Sequence, residues 1–144
     1  MKRLTPFIYL PLLFLVLACG QDEQPIDEID NPEQVAIAFF DALYNEKNIK
    51  KASTVCSERL ARIILHYQSP QAVGRPLFNM SYDKVKVTPD DSGVKVREQF
   101  KNKAVITVYF DGTYQDERLK DVKRLSLIQL DDRWVINKIL KDPF

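Results

Sequence analysis

PEQVAIAFFDALYNEKNIKKA, residues 32–52, is the stretch that decides the fold. Asn31 precedes it as a capping residue, Pro32 suits the first helical position, and Gln34 stands where a capping-box partner belongs. Val35, Phe39, Ala42 and Leu43 recur at helical spacing, and Ala36, Phe40 and Tyr44 widen the apolar stripe. A helix apolar on so much of its circumference must be covered on most sides. Asn45–Asn48 read as a turn, Ile49–Cys56 as a short second helix and Ser57–Tyr67 as a third. In the third helix Leu60, Ile63, Ile64 and Tyr67 share one side, with Arg59, Arg62 and His66 opposite. Residues 68–80 contain Pro70, Gly74 and Pro76 and read as a loop.

Beyond Tyr82 the hydrophobic period falls to two. Val85 and Val87 alternate with Lys84 and Lys86. Pro89–Gly93 has turn chemistry, and Val94, Val96 and Phe100 then alternate with Lys95, Arg97 and Lys101. The expectation is a hairpin with one apolar and one basic face. Ala104–Phe110 are apolar on both sides apart from Thr107, which predicts a central strand, and Asp111-Gly112 reads as a turn or bulge. Val122–Leu130 and Trp134–Leu140 complete the strands, joined at Asp131-Asp132. Three helices followed by four or five antiparallel strands make an α+β domain, with the helices packed on a curved sheet of the cystatin or cone type. The element order, the Phe39-Phe40…Tyr44 helix and the closing DDRWVINKI strand resemble the nuclear-transport-factor-2-like superfamily. That resemblance spans residues 32–140 and implies a sheet curled around the first helix with a cavity between them. Fold alone does not choose among the isomerases, dehydratases, binders and assembly domains built this way.

Upstream, Lys2 and Arg3 precede an apolar run from Phe7 to Ala18 that stops at Cys19-Gly20. The run is about twelve residues and contains Pro11, whereas a membrane-spanning helix needs about twenty. It reads as a secretory signal. Val16-Leu17-Ala18-Cys19 resembles the bacterial lipobox, which implies removal of residues 1–18 and acylation (diacylglyceryl and palmitate-type chains) at Cys19. The same family resemblance, with Gly20 after the cysteine, implies the periplasmic face of the outer membrane. Residues 20–31, GQDEQPIDEIDN, carry five acidic and no basic side chains. Cys19 and this stretch, 19–31, are expected to form a flexible tether reaching on the order of 20 Å. The α+β domain then occupies 32–144.

Of 144 residues, cleavage leaves 126, enough for one domain and too few for two. Loss of Lys2 and Arg3 changes 21 basic against 20 acidic side chains into 19 against 20, a net charge of −1. That balance points to neither nucleic acid nor an acidic membrane surface. With Cys19 acylated, Cys56 has no disulfide partner in the chain. One histidine, His66, and one remaining cysteine do not make a structural metal site, so no metal and no cofactor is expected.

Phe40, Tyr44, Tyr67, Tyr109 and Trp134 are the aromatic residues expected to line a ligand pocket, since rings combine large buried area with a polar tip. The isomerases and dehydratases of the resembled superfamily use a cavity-facing carboxylate or histidine as base. Asp41, Asp111 and His66 are the candidates here, each more simply read as a solvated group. Lys84, Lys86, Lys95 and Arg97 are expected to form a basic surface patch able to engage phosphates or an acidic partner, with a solvated outer face as the plainer reading. The leading expectation is a non-catalytic, lipid-anchored module that binds an envelope protein or a small apolar ligand. An enzyme of the ketosteroid-isomerase or dehydratase type and a structural homodimeric component are the alternatives.

Overall fold

The computed structural model describes residues 25–90 and 102–141. Lys95, Arg97 and Lys101 of the expected second hairpin strand, and Cys19, lie outside the described residues.

The first helix begins as its sequence dictates. The Asn31 side chain accepts hydrogen bonds from the backbone N–H of Glu33 at 2.9 Å and of Gln34 at 3.4 Å. Helix α1 spans Pro32–Phe40 and continues as a π-helical segment, Asp41–Asn45. Val35, Ala36, Phe39, Phe40, Ala42 and Leu43 are completely buried, as the broad apolar stripe requires. Helices α2 (Ile49–Thr54) and α3 (Glu58–His66) follow. Leu60 and Ile64 of α3 face the core, but Ile63 is exposed. The junction of α2 and α3 is clipped to the sheet by backbone hydrogen bonds. Ile136 N–H donates to the Val55 carbonyl and Ser57 N–H donates to the Ile136 carbonyl, both at 2.8 Å.

Residues 68–80 are not a loop. Ser69 caps a one-turn helix α4 (Pro70–Val73), and a π-helical turn, Gly74–Phe78, follows it. Ser69-Pro70 is a helix-start signal that outweighs the breakers after it. The turn ends at Asn79, which takes a left-handed conformation with φ 53°.

Strands β1 (Lys84–Pro89), β2 (Lys103–Tyr114), β3 (Glu117–Leu130) and β4 (Arg133–Ile139) form one antiparallel sheet in the order β1-β2-β3-β4. The described partner of β1 is β2, from Lys84 opposite Thr113 to Pro89 opposite Val108. Asp111-Gly112 is not a turn but lies inside β2. The reversal comes at Gln115-Asp116, with φ 50° and 65°, and the next at Asp131-Asp132, with φ 48° and 61°. Positive φ at both central residues suits the two-residue hairpin turns that match strand twist. β2 is internal in the sheet, yet the described residues cover only one of its faces. Ala104, Ile106, Val108 and Phe110 point into the core, while Tyr109 between them is 44% exposed. Strict alternation makes this unavoidable, since neighbours on a strand point to opposite faces.

The helices cover the inner face of the sheet. Phe40 lies at the centre of the core, with ring centroids 4.7 Å from Phe110, 4.9 Å from Phe39 and 5.3 Å from Phe78. The free edge of β1 is occupied by a side chain. Asn45 donates to the Val85 carbonyl at 2.7 Å and accepts from the Val85 N–H at 2.9 Å, pairing as a neighbouring strand would.

The expected tether boundary at Asn31 is corrected. Ile26–Glu28 form a 3-10 turn, Ile26 and Ile29 pack against the core, and Asp27 pairs with Arg133 at 3.4 Å. Two isoleucines suffice to dock this stretch, so Asp27, Glu28 and Asp30 ride on a folded segment.

Candidate functional site

The Phe39, Phe40, Phe78 and Phe110 rings pack together between the helices and the sheet, and among the described residues a space open to a ligand lies at the edge of that packing. A cleft of about 500 Å³ opens between α4 with its π-helical turn and the start of β1. Tyr44, Tyr82 and Tyr114 supply its aromatic surface, and Lys47, Arg75 and Asp83 its charges. A second lobe of about 370 Å³ shares Arg75, Ser81, Tyr82 and Tyr114 with the first and extends towards Leu119 and Asp121.

The local fold fixes these groups. Gly74 lets the π-helical turn approach Met80, because a Cβ there would sit 2.5 Å from the Met80 carbonyl oxygen. The Tyr44 hydroxyl donates to that same carbonyl at 3.2 Å. Lys47 Nζ donates to the Tyr82 carbonyl at 2.8 Å, and Asp83 accepts from the Gln115 N–H at 2.8 Å, tying the hairpin tip to the cleft. Burial, reinforced by Tyr82 and Asp121, holds the Tyr44 phenol far above its usual pKa. Burial, then Asp121 and Asp111, pushes Tyr82 up to about 12. Both phenols therefore stay protonated at neutral pH and offer hydrogen bonds rather than base chemistry. Partial burial lowers the pKa of Lys47, and Asp83 opposes that shift.

Of the five aromatic residues expected to line a pocket, Tyr44 does. Phe40 is completely buried inside the ring cluster, and Trp134 is buried in β4. Tyr67 is partly buried against the core away from the cleft, and Tyr109 points out from the opposite face of the sheet. The candidate bases are employed elsewhere. Asp41 accepts from Asn45 at 2.7 Å and so helps to aim that amide at β1. Asp111 forms a two-point pair with Arg118, at 2.8 and 2.6 Å, on the outer face of the sheet. The Arg118 hydrogen bond holds the Asp111 carboxyl below the usual range. His66 is exposed at the end of α3.

Lys84 and Lys86 do share the outer face, alternating with buried Val85 and Val87. Cys56 is a buried thiol that donates to the Ala52 carbonyl at 3.5 Å, and burial pushes its pKa up. It packs like a small apolar side chain and has no thiolate character. Among the described residues no group of three His, Cys, Asp or Glu side chains could hold a metal ion, and no helix is long and apolar enough to cross a membrane.

Tyr82 and Tyr114 were not singled out by the sequence. A signal for Tyr114 existed, since the alternation through Phe110 and Gly112 puts position 114 on the inner face. Tyr82 precedes its strand, and only the chain path after Asn79 brings it to the cleft.

No family model matches this chain, and no curated protein matches it. A crystal structure of an NTF-2 like protein of unknown function from Shewanella oneidensis MR-1 is similar at 16% identity and a TM-score of 0.46, over 72% of this chain and 88% of that one. A likeness at that level decides neither family nor activity. What stands from the coordinates is a mixed α+β domain, its helices packed on an open four-stranded antiparallel sheet.

Proposed function

We propose that this chain is a non-catalytic envelope lipoprotein, anchored through Cys19 at the periplasmic face of the outer membrane, whose domain binds a small amphipathic ligand in the cleft at the cone mouth. The observation that carries the binding reading is the cleft itself. Three tyrosines give it an apolar body with hydroxyl tips, while Lys47, Arg75 and Asp83 provide orienting charges at its edges. Binding is favoured over proton abstraction because Asp41, Asp111 and His66 all lie outside the cleft lining. Asp83, which does line it, already accepts the Gln115 backbone N–H. The lipobox resemblance supports the anchor.

Native mass spectrometry of the protein taken from its own envelope tests this reading. The expected result is a retained small-molecule adduct, reduced at least tenfold by Tyr114→Ala and by Arg75→Ala, two side chains outside the core. A bare wild-type mass, or an adduct undiminished in both variants, would contradict it.

A further inference from the structure

The outer face of the sheet carries a charge surplus that the chain as a whole conceals. By register, β1 contributes Lys84 and Lys86 to it and β2 contributes Lys103. β3 adds Arg118, Lys120 and Arg124, and β4 adds Arg133, opposite Leu130, and Lys138, opposite Ser126. Against these eight stand Asp111 on the face and, at its rims, Asp90, Asp116, Asp131 and Asp132. Eight minus five leaves a surplus of three positive charges on one side of a chain that, from residue 20 onward, has a net charge of −1. In the middle of the face Tyr109 is 44% exposed, opposite half-buried Val122, with half-buried Val105 further along the same strand. A phenol ringed by cations and small apolar groups is suited to a headgroup layer.

We infer that this face rests on an anionic phospholipid surface. The inference deepens the reading of a lipid-anchored protein and rests on it. Position argues for the membrane over other anionic partners. Asp27 pairs with Arg133, opposite Leu130, so Ile26–Glu28 sit at the β3–β4 turn end of the sheet. Five residues, 20–24, separate Pro25 from the lipid-bearing cysteine, and the six steps between the two span at most about 20 Å. Lys103, Arg124 and Lys138 lie towards that same end, and Lys84, Lys86 and Arg118 lie about 20 Å further along the strands. The basic face therefore starts beside the anchor and runs away from it, which favours a domain lying along the bilayer. Two copies of the face would repel, which disfavours a second copy of this chain as the occupant.

Flotation with vesicles tests the inference on the chain beginning at residue 20. That chain holds every described core residue, from Val35 to Ile136, and carries no lipid. It is expected to bind phosphatidylcholine vesicles containing phosphatidylglycerol, not pure phosphatidylcholine, and to release as salt is raised. Lys86→Gln, Arg124→Gln and Lys138→Gln together are expected to lower vesicle partition roughly a hundredfold. The matched change on the helical side, Lys50→Gln, Arg59→Gln and Arg62→Gln, removes the same charge and is expected to leave most of the binding. Equal losses in the two triple variants, equal binding to both vesicle types, or no binding at low salt would each overturn the inference. So would capture of an acidic protein without vesicle binding. Because the probe lacks Cys19, these outcomes are independent of whether the native protein is acylated.

Discussion

Phe40→Ala is expected to lower the unfolding free energy by about 3–5 kcal/mol, the usual cost of truncating a large buried ring. The Phe40 side chain is completely buried and meets the rings of Phe39, Phe78 and Phe110 within 5.3 Å. Each such edge-to-face contact adds about 0.5–1.5 kcal/mol beyond area burial. A domain of this size has a total stability of about 5–15 kcal/mol, so the variant loses a large share of it. Urea denaturation of wild type and variant measures the difference. The result also separates two pictures of the cone. If Phe40 lined an open ligand cavity, its removal would enlarge an existing space and cost less than about 1 kcal/mol.

Gly112→Ala is expected to cost about 2–3 kcal/mol, at the upper end for forced overpacking. The new Cβ would meet the Lys84 carbonyl oxygen at 2.5 Å, the Tyr82 ring at 2.7 Å and Val85 Cβ at 2.8 Å. The first of these is backbone of the paired strand, so β1 must move away from β2 to admit it. Amide exchange is expected to accelerate along β1 and to stay slow between β3 and β4. Tyr82 moves with β1, so ligand retention in the cleft should fall in the same variant. Wild-type stability with unchanged exchange in β1 would show that the close approach is not a constraint.

How far the chain could be read in advance depended on whether the signal was local. The start of α1 was legible because Asn31, Pro32 and the apolar stripe lie within one stretch and agree. The turn at Asp131-Asp132 was legible because two aspartates between alternating runs leave little choice. The Gln115-Asp116 turn was not, since it reaches positive φ without glycine and hides behind the stronger turn signal of Asp111-Gly112. That glycine is needed for close approach inside a strand, a tertiary reason that no local pattern reveals. The first part of β3 was missed because Glu117–Asp121 contains one apolar residue, Leu119, and projects past the core. At the cleft, Tyr44 was legible from its place on α1, whereas Tyr82 depends on a chain path set by α4 and the π-helical turn. Tyr109 was assigned inward although Phe110 beside it must take the opposite face. Net charge misled most. A total of −1 conceals a sheet face with a surplus of three cations, because charge acts through its arrangement rather than its sum.

The measurement that bears most directly on the account is metabolic labelling with palmitate, read together with membrane fractionation. Wild-type protein is expected to carry label and to sediment with the outer membrane, and Cys19→Ala to carry none and to appear in the soluble fraction. An unlabelled wild-type chain that is recovered soluble would contradict the anchored module and leave an exported domain with a tyrosine-lined cleft.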